Sequence, residues 1–237
     1  MRKSVKQQLA LRVLSTAALM AMVSSIATAA FAAEYNVKDG SVEIVAKDGI
    51  QSITQRDDTG AFVKDEKGNI DHRQDDDIIL TTKNKDTGET ETTSNTVTIT
   101  AEEKGDTANV TLQDVHIETE GSWNNTGSAP IEIKGNGDTN LELNGDNTVL
   151  SGDLYHAAIE KADKNGTGTL TIKDDKNDDR SDKDKDENGN AVGRDTGKLL
   201  AGGNYAGAGI GGGSSSNDLA DTSNITIKGG EVTARSG

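Results

Sequence analysis

The sequence predicts an all-β protein, a parallel β-helix built from repeats of about 30 residues. Three observations predict it. Apolar residues gather in short alternating runs ("VEIV", "VTIT", "VTL", "IEI", "LEL", "LTI", "ITI") bounded by Gly, Asn and Asp, the pattern of half-buried strands between turns. The runs recur in a consistent order along the chain. Glycine is frequent (27 residues) and proline nearly absent (one), so glycine is available for the corners where backbone must approach backbone.

Residues 1–32 read as a secretory signal peptide. Arg2, Lys3, Lys6 and Arg12 make a basic start, an apolar run comes next, and Ala30-Phe31-Ala32 is an A-x-A cleavage site. The protein is therefore expected outside the cell, secreted or at the cell surface, with no membrane span in the mature chain. Cleavage removes four positive charges and no negative ones, leaving a chain still more acidic than the formal −15 of the whole sequence. Such a surface disfavours nucleic acid and anionic membranes as partners. There is no cysteine, so packing and hydrogen-bond ladders must hold the fold. At 32% hydrophobic and 27% charged residues the composition alone would permit disorder, but the clustering of the apolar residues argues against it for most of the chain.

Residues 33–100 are expected to form an N-terminal cap and first coils, with strands in "SVEIVA", "DIILTT" and "NTVTIT" and a hairpin excursion between Gln55 and Asp77. Its turns are placed at Asp58-Thr59-Gly60 and Lys67-Gly68-Asn69. Residues 101–237 carry the repeats. First strands end at Leu112, Leu143, Ile172 and Ile227, expected in one inward column. Second strands are marked by Ile117, Val149, Leu199 and Val232, and third strands by Ile131, Ile159 and Ile210. The first-to-second step takes five or six residues except between Ile172 and Leu199, where the charged run 175–196 intervenes. That run reads as a disordered acidic insertion, and the helix reads as truncated beyond Gly237.

"NYAGAGIGGGSSS", residues 204–216, contains G-x-G-x-x-G at Gly207, Gly209 and Gly212. A dinucleotide site needs a strand before it and a helix after it. The chain continues instead with "SSSNDLADTSNITI", a polar loop and another strand. The glycines are corners of the third strand of repeat three.

"GAGIGGG" followed by "NITIKGGEVTARSG", with the upstream "NTVTIT…ANVTLQDVHIE", resembles the glycine-rich parallel β-helix surface proteins of gut Firmicutes. Many of these are described as carbohydrate-binding domain-containing proteins. The resemblance spans roughly residues 95–237 and is more specific for architecture than for function. It implies a right-handed β-helix outside the cell that handles polysaccharide.

Candidate chemistry is sparse. H-E-x-x-H and G-x-S-x-G are absent, and His72, His116 and His156 lie in unrelated contexts. A polysaccharide lyase would need converging carboxylates. Asp114, Glu118, Glu142, Asp146, Asp174 and Asp175 could stack into an acidic column, but stacked like charges repel, which favours a solvated face over a lyase site. "DKDENGNAVGRD" places Asp184, Asp186, Asn188, Asn190 and Asp195 at positions 1, 3, 5, 7 and 12 of a calcium loop with Gly189 at position 6. Position 12 is Asp rather than Glu and no helices flank it, so a solvated loop stands beside a calcium site as a reading. Trp123, Tyr155 and Tyr205 each fall just before a third strand. They are candidate glycan-binding residues, since aromatic faces suit sugar rings, unless they pack on one another. The expectation is a non-catalytic, monomeric carbohydrate-binding protein with a glycan as partner and calcium as candidate cofactor. A structural adhesin or stalk is the first alternative and a lyase-like enzyme the second.

Overall fold

Alternating Val, Ile, Leu and Thr put one side of each strand into an apolar interior and the other outward. The structure is a computed structural model and describes residues 33–64, 75–121, 127–161, 167–174, 197–215, 218–219 and 222–237. The strands are β1 (Glu34–Asn36), β2 (Ser41–Lys47), β3 (Ile50–Arg56), β4 (Ile78–Thr81), β5 (Val97–Ala101) and β6 (Thr107–Gln113). Next come β7 (His116–Glu118), β8 (Ile131–Lys134), β9 (Asp138–Asn144), β10 (Asp146–Leu150), β11 (Ile159–Glu160) and β12 (Leu170–Lys173). The last are β13 (Lys198–Gly202), β14 (Ile210–Gly211), β15 (Ser214–Ser215), β16 (Asp218–Leu219), β17 (Ile225–Ile227) and β18 (Glu231–Arg235). Among the described residues there is no α-helix, and one 3-10 turn spans Val37–Asp39. None is a helix long and apolar enough to cross a membrane.

The strands form three mostly parallel sheets, ordered β1-β4-β6-β9-β12-β17, β18-β13-β10-β7 and β14-β11-β8-β5-β2-β3, and a small antiparallel pair β15-β16. This corrects the expectation of one right-handed solenoid with coils of about 30 residues. The parallel sheets are compatible with a β-helix, but no single regular solenoid is present. Hydrogen-bonded residues on neighbouring strands lie 31 positions apart at Asn109 and Asn140, 51 apart at Asn147 and Lys198, and 55 apart at Ser41 and Thr96. Excursions of unequal length between paired strands produce this spread, and two pairings are antiparallel.

Third-strand markers pair as their spacing suggests: Ile159 lies opposite Ile131 on one side and Ile210 on the other. The first-strand column is different. Leu112 faces Leu143, but Ile172 faces Leu141 and Ile227 faces Ile172. The continuous column is therefore Ile78, Val110, Leu141, Ile172 and Ile227. Among the second-strand markers Ile117 faces Val149 and Leu199 faces Val232 as expected, and only the step between them slips by the same amount, with Val149 opposite Ala201 and Asn147 opposite Leu199. A shift of two residues keeps every inward side chain inward, whereas a shift of one would turn it out.

The expected excursion after Gln55 begins as an antiparallel turn, with Arg56 bridging Phe62, and a further hairpin not expected from the sequence precedes it. β2 and β3 pair antiparallel over seven residues through Asp48-Gly49, both in the left-handed region (φ 53° and 74°), as a two-residue type I′ loop requires. Strand β3 lies along the free edge of β2. Nearby, the Gln51 amide donates to the Asn109 carbonyl (3.0 Å) and accepts from the Asn109 amide (2.6 Å), occupying backbone groups of β6 beyond the end of the shorter β4. The expected turn near Thr59 is present, with the Asp57 carboxylate accepting from the backbone of Thr59 and Ala61. The Lys67–Asn69 turn and the insertion 175–196 lie outside the described residues.

Candidate functional site

Three passes of the chain stack at the corner that leads into β8, β11 and β14. The middle pass, 151–160, is shaped by its own short polar groups. Asp153 is buried, and its Oδ1 accepts from the Tyr155 amide at 2.9 Å, a local side-chain-to-backbone turn. Asp153 Oδ2 is buried without a hydrogen-bond partner. A side chain on Gly127 in the preceding pass would overlap that oxygen, so only glycine fits above it.

The next pass explains the glycine run. A Cβ on Gly207 would overlap the His156 carbonyl oxygen. One on Gly209 would meet backbone oxygen and nitrogen of Ala201 and Arg235, and one on Gly213 the Glu160 carboxylate and the Tyr155 carbonyl. Close backbone approach demands these glycines. The passes are sewn together by the Ala206 amide donating to the Leu154 carbonyl (2.9 Å), the Ala158 amide to the Ala208 carbonyl (3.1 Å) and the Asn204 side-chain amide to the Gly152 carbonyl (2.8 Å).

This stacking brings two of the three candidate aromatic residues to one corner. Tyr155 is half-buried, whereas Tyr205 is 74% exposed. Tyr205 sits at φ 33° and its amide donates to the Asn204 side-chain oxygen at 2.9 Å. Trp123 lies outside the described residues, as do Asp184, Asp186, Asn188, Asn190 and Asp195 of the calcium loop. Among the described residues no group of three or more His, Asp or Glu side chains is placed to hold a metal.

One pair escapes sequence reading. His156 Nδ1 donates to Glu160 Oε2 at 2.9 Å, and the same oxygen accepts from the Ala157 amide at 2.9 Å. Glu160 is buried and the His156 side chain is a quarter exposed (25%). The bond to Glu160 raises the His156 pKa; burial opposes it, and the negative charges of Glu160, Asp153 and Glu132 add to the rise. Such a pair can hold a proton and present a ring N–H as donor to a bound acceptor. Its only sequence trace is H-x-x-x-E, which in a corner of irregular backbone has no fixed meaning.

Four of the carboxylates that could have stacked into an acidic column are engaged separately, and Asp175 lies outside the described residues. Asp114 pairs with Lys83 at 2.5 Å, Glu142 lies 3.6 Å from Lys173, Asp146 pairs with Lys198 at 3.1 Å, and Asp174 accepts from the Gly197 amide at 3.2 Å. Each of these four carboxylates has its own neighbour, which relieves the repulsion that stacked like charges would feel. No protein-family model, curated protein or solved structure matches the chain.

Proposed function

We propose that the protein is a non-catalytic, exported glycan-binding protein whose contact surface is the corner carrying Tyr155 and Tyr205. The observation that carries this reading is the exposure of Tyr205, 74%, on a backbone fixed by Asn204 and one pass away from Tyr155. An exposed ring on rigid backbone offers a face to a sugar ring at little entropic cost. The His156 ring and the Asn204 amide lie in the same two passes and supply hydroxyl partners of the kind such sites need. Neighbouring passes are about 4.8 Å apart, close to the length of one sugar residue, so a glycan chain would cross several. A glycan array probed with the wild type and with Tyr205→Ala tests the reading. Binding to at least one polysaccharide, weakened tenfold or more by the substitution, supports it. Absence of binding, or binding indifferent to Tyr205, ends it.

Calcium belongs to the same proposal through Asp184, Asp186, Asn188, Asn190 and Asp195, and titration calorimetry on the wild type and Asp184→Ala tests it independently. A structural spacer is the second reading. It is favoured by the side-chain ladders on the outward face of the first sheet, where Asn140 donates to Asn109 and Asn144 to Gln113, both at 2.9 Å. Those groups are already satisfied by one another.

A further inference from the structure

Ala33 is held at both of its backbone polar groups. Its carbonyl accepts from the Ile79 amide at 3.1 Å, and its nitrogen donates to Asp75 Oδ2 at 2.8 Å. Its methyl group, partly buried, packs against the core. Asp75 is only 3% exposed. Its Oδ1 accepts from the Asp77 amide at 3.0 Å, and among the described residues no basic side chain pairs with it. A buried carboxylate served by neutral donors alone is costly, and a positive charge in contact with it offsets that cost. The same residue anchors the N-terminal cap. The Asp75 amide donates to the Gln51 carbonyl at 3.1 Å, and the Gln51 side chain donates to the Asp75 carbonyl at 2.8 Å. Through Gln51 the contact reaches the Asn109 backbone of β6.

We propose that cutting the chain between Ala32 and Ala33 completes this cap, by turning the Ala33 nitrogen into an ammonium ion paired with Asp75. The A-x-A motif at Ala30-Phe31-Ala32 puts the cut of a signal peptidase at that bond. The motif and the buried carboxylate thus select the same nitrogen independently. Hydrolysis adds one water across the bond. The new carboxyl on Ala32 gives up a proton and the Ala33 amine takes one, so the released ends at neutral pH are a carboxylate and an ammonium. The charge arises on an atom already 2.8 Å from Asp75 Oδ2. No rearrangement is needed, and the bond becomes charged on both sides. A cut one residue earlier would set the charge about 3.8 Å further along the chain and leave a neutral amide facing Asp75. Before the cut the buried carboxylate has only amide donors, and the cap is weaker. Processing and folding are thus coupled. The precursor is the less stable form, suited to crossing a membrane unfolded, and the released chain gains its full stability on the far side. This coupling is independent of glycan binding.

Ala32–Gly237 form one compact unit by themselves, so chains 33–237 and 32–237 both carry the whole of the described fold. Urea denaturation of each, with and without Asp75→Asn, at about pH 6.5 where the amine is charged, tests the proposal. The chain that starts at Ala33 is expected to unfold at the higher urea concentration, with an unfolding constant smaller by roughly tenfold or more. Asp75→Asn is expected to close that gap. Should Asp75→Asn fail to fold, 33–237 acetylated at its N-terminus takes its place; acetylation removes the charge without adding a residue, and the product is expected to match 32–237. N-terminal sequencing of the full chain after export from a bacterial host is expected to read Ala33-Glu34-Tyr35-Asn36. Equal stability of the two chains overturns the proposal, as does a gap that survives Asp75→Asn or acetylation. So does an export product that begins at any other residue.

Discussion

The two ends of the molecule are finished differently. At the N-terminal end β3 lies along β2, Ile53 and Ile44 are buried opposite each other, and the Gln51 side chain occupies backbone groups of Asn109. At the C-terminal end β17 and β18 carry Ile225, Ile227 and Val232 with nothing comparable over them among the described residues. Ile172 and Ile227 make the point within one column: they face each other across a parallel pair, yet Ile172 is 0% exposed and Ile227 is 52%. The side chain and the strand direction are the same. Only the presence of a further layer differs, so burial here belongs to a residue's place in the stack rather than to its local sequence.

The largest effect is expected in the middle of that column. Leu141→Asp should abolish cooperative unfolding, since it buries an unpaired charge among Val110, Ile172 and their neighbours. Leu141→Ala should cost about 2–5 kcal/mol by urea denaturation. The closed end comes next. Gln51→Ala leaves the Asn109 amide and carbonyl without their partner and should cost about 1–3 kcal/mol; no change in the urea midpoint would mean the hairpin does not close that edge. Smaller again is the corner between the ends. The raised His156 pKa means that its stabilisation is fully present below the unfolded value of about 6.5 and is lost as pH rises through the folded value. A melting temperature that falls over that window in the wild type, and not in His156→Gln, is expected. The scale is that of a partly exposed ion pair, at most about 1 kcal/mol. The smallest effect is expected at the open end. Ile227→Ala should cost under about 1 kcal/mol because half the side chain is already in water.

Strand content and parallel pairing are legible in the sequence because alternation over short runs is a local signal. The register is legible only modulo two. Spacing sets Ile172 against Leu143 when its partner is Leu141, and period-2 alternation cannot tell those apart. A single repeat length suggests one regular solenoid, but the lengths of excursions between paired strands leave no periodic trace. The Asp48-Gly49 loop carries a readable turn signal, but only the longer polar run beyond Gln55 is read as a hairpin, so the β2–β3 pairing before it is missed. At the corner, Tyr155 and Tyr205 are legible from their spacing before the third strands. The His156–Glu160 pair is not, because its geometry depends on the backbone of one irregular turn. The glycine run reads as corners, and the structure supplies the specific oxygens that each glycine must clear.

The β2–β3 hairpin has a consequence in time. The large parallel ladders join residues separated by 31 positions or more, and contacts so distant along a chain form slowly because long loops must close first. The seven-residue pairing through Asp48-Gly49 is local, and a hairpin of this kind closes in about 1–10 μs. It is the longest of the local pairings and can form before any of the parallel ladders. Each later strand then arrives against an edge that already exists, so assembly runs like zipping from a seed.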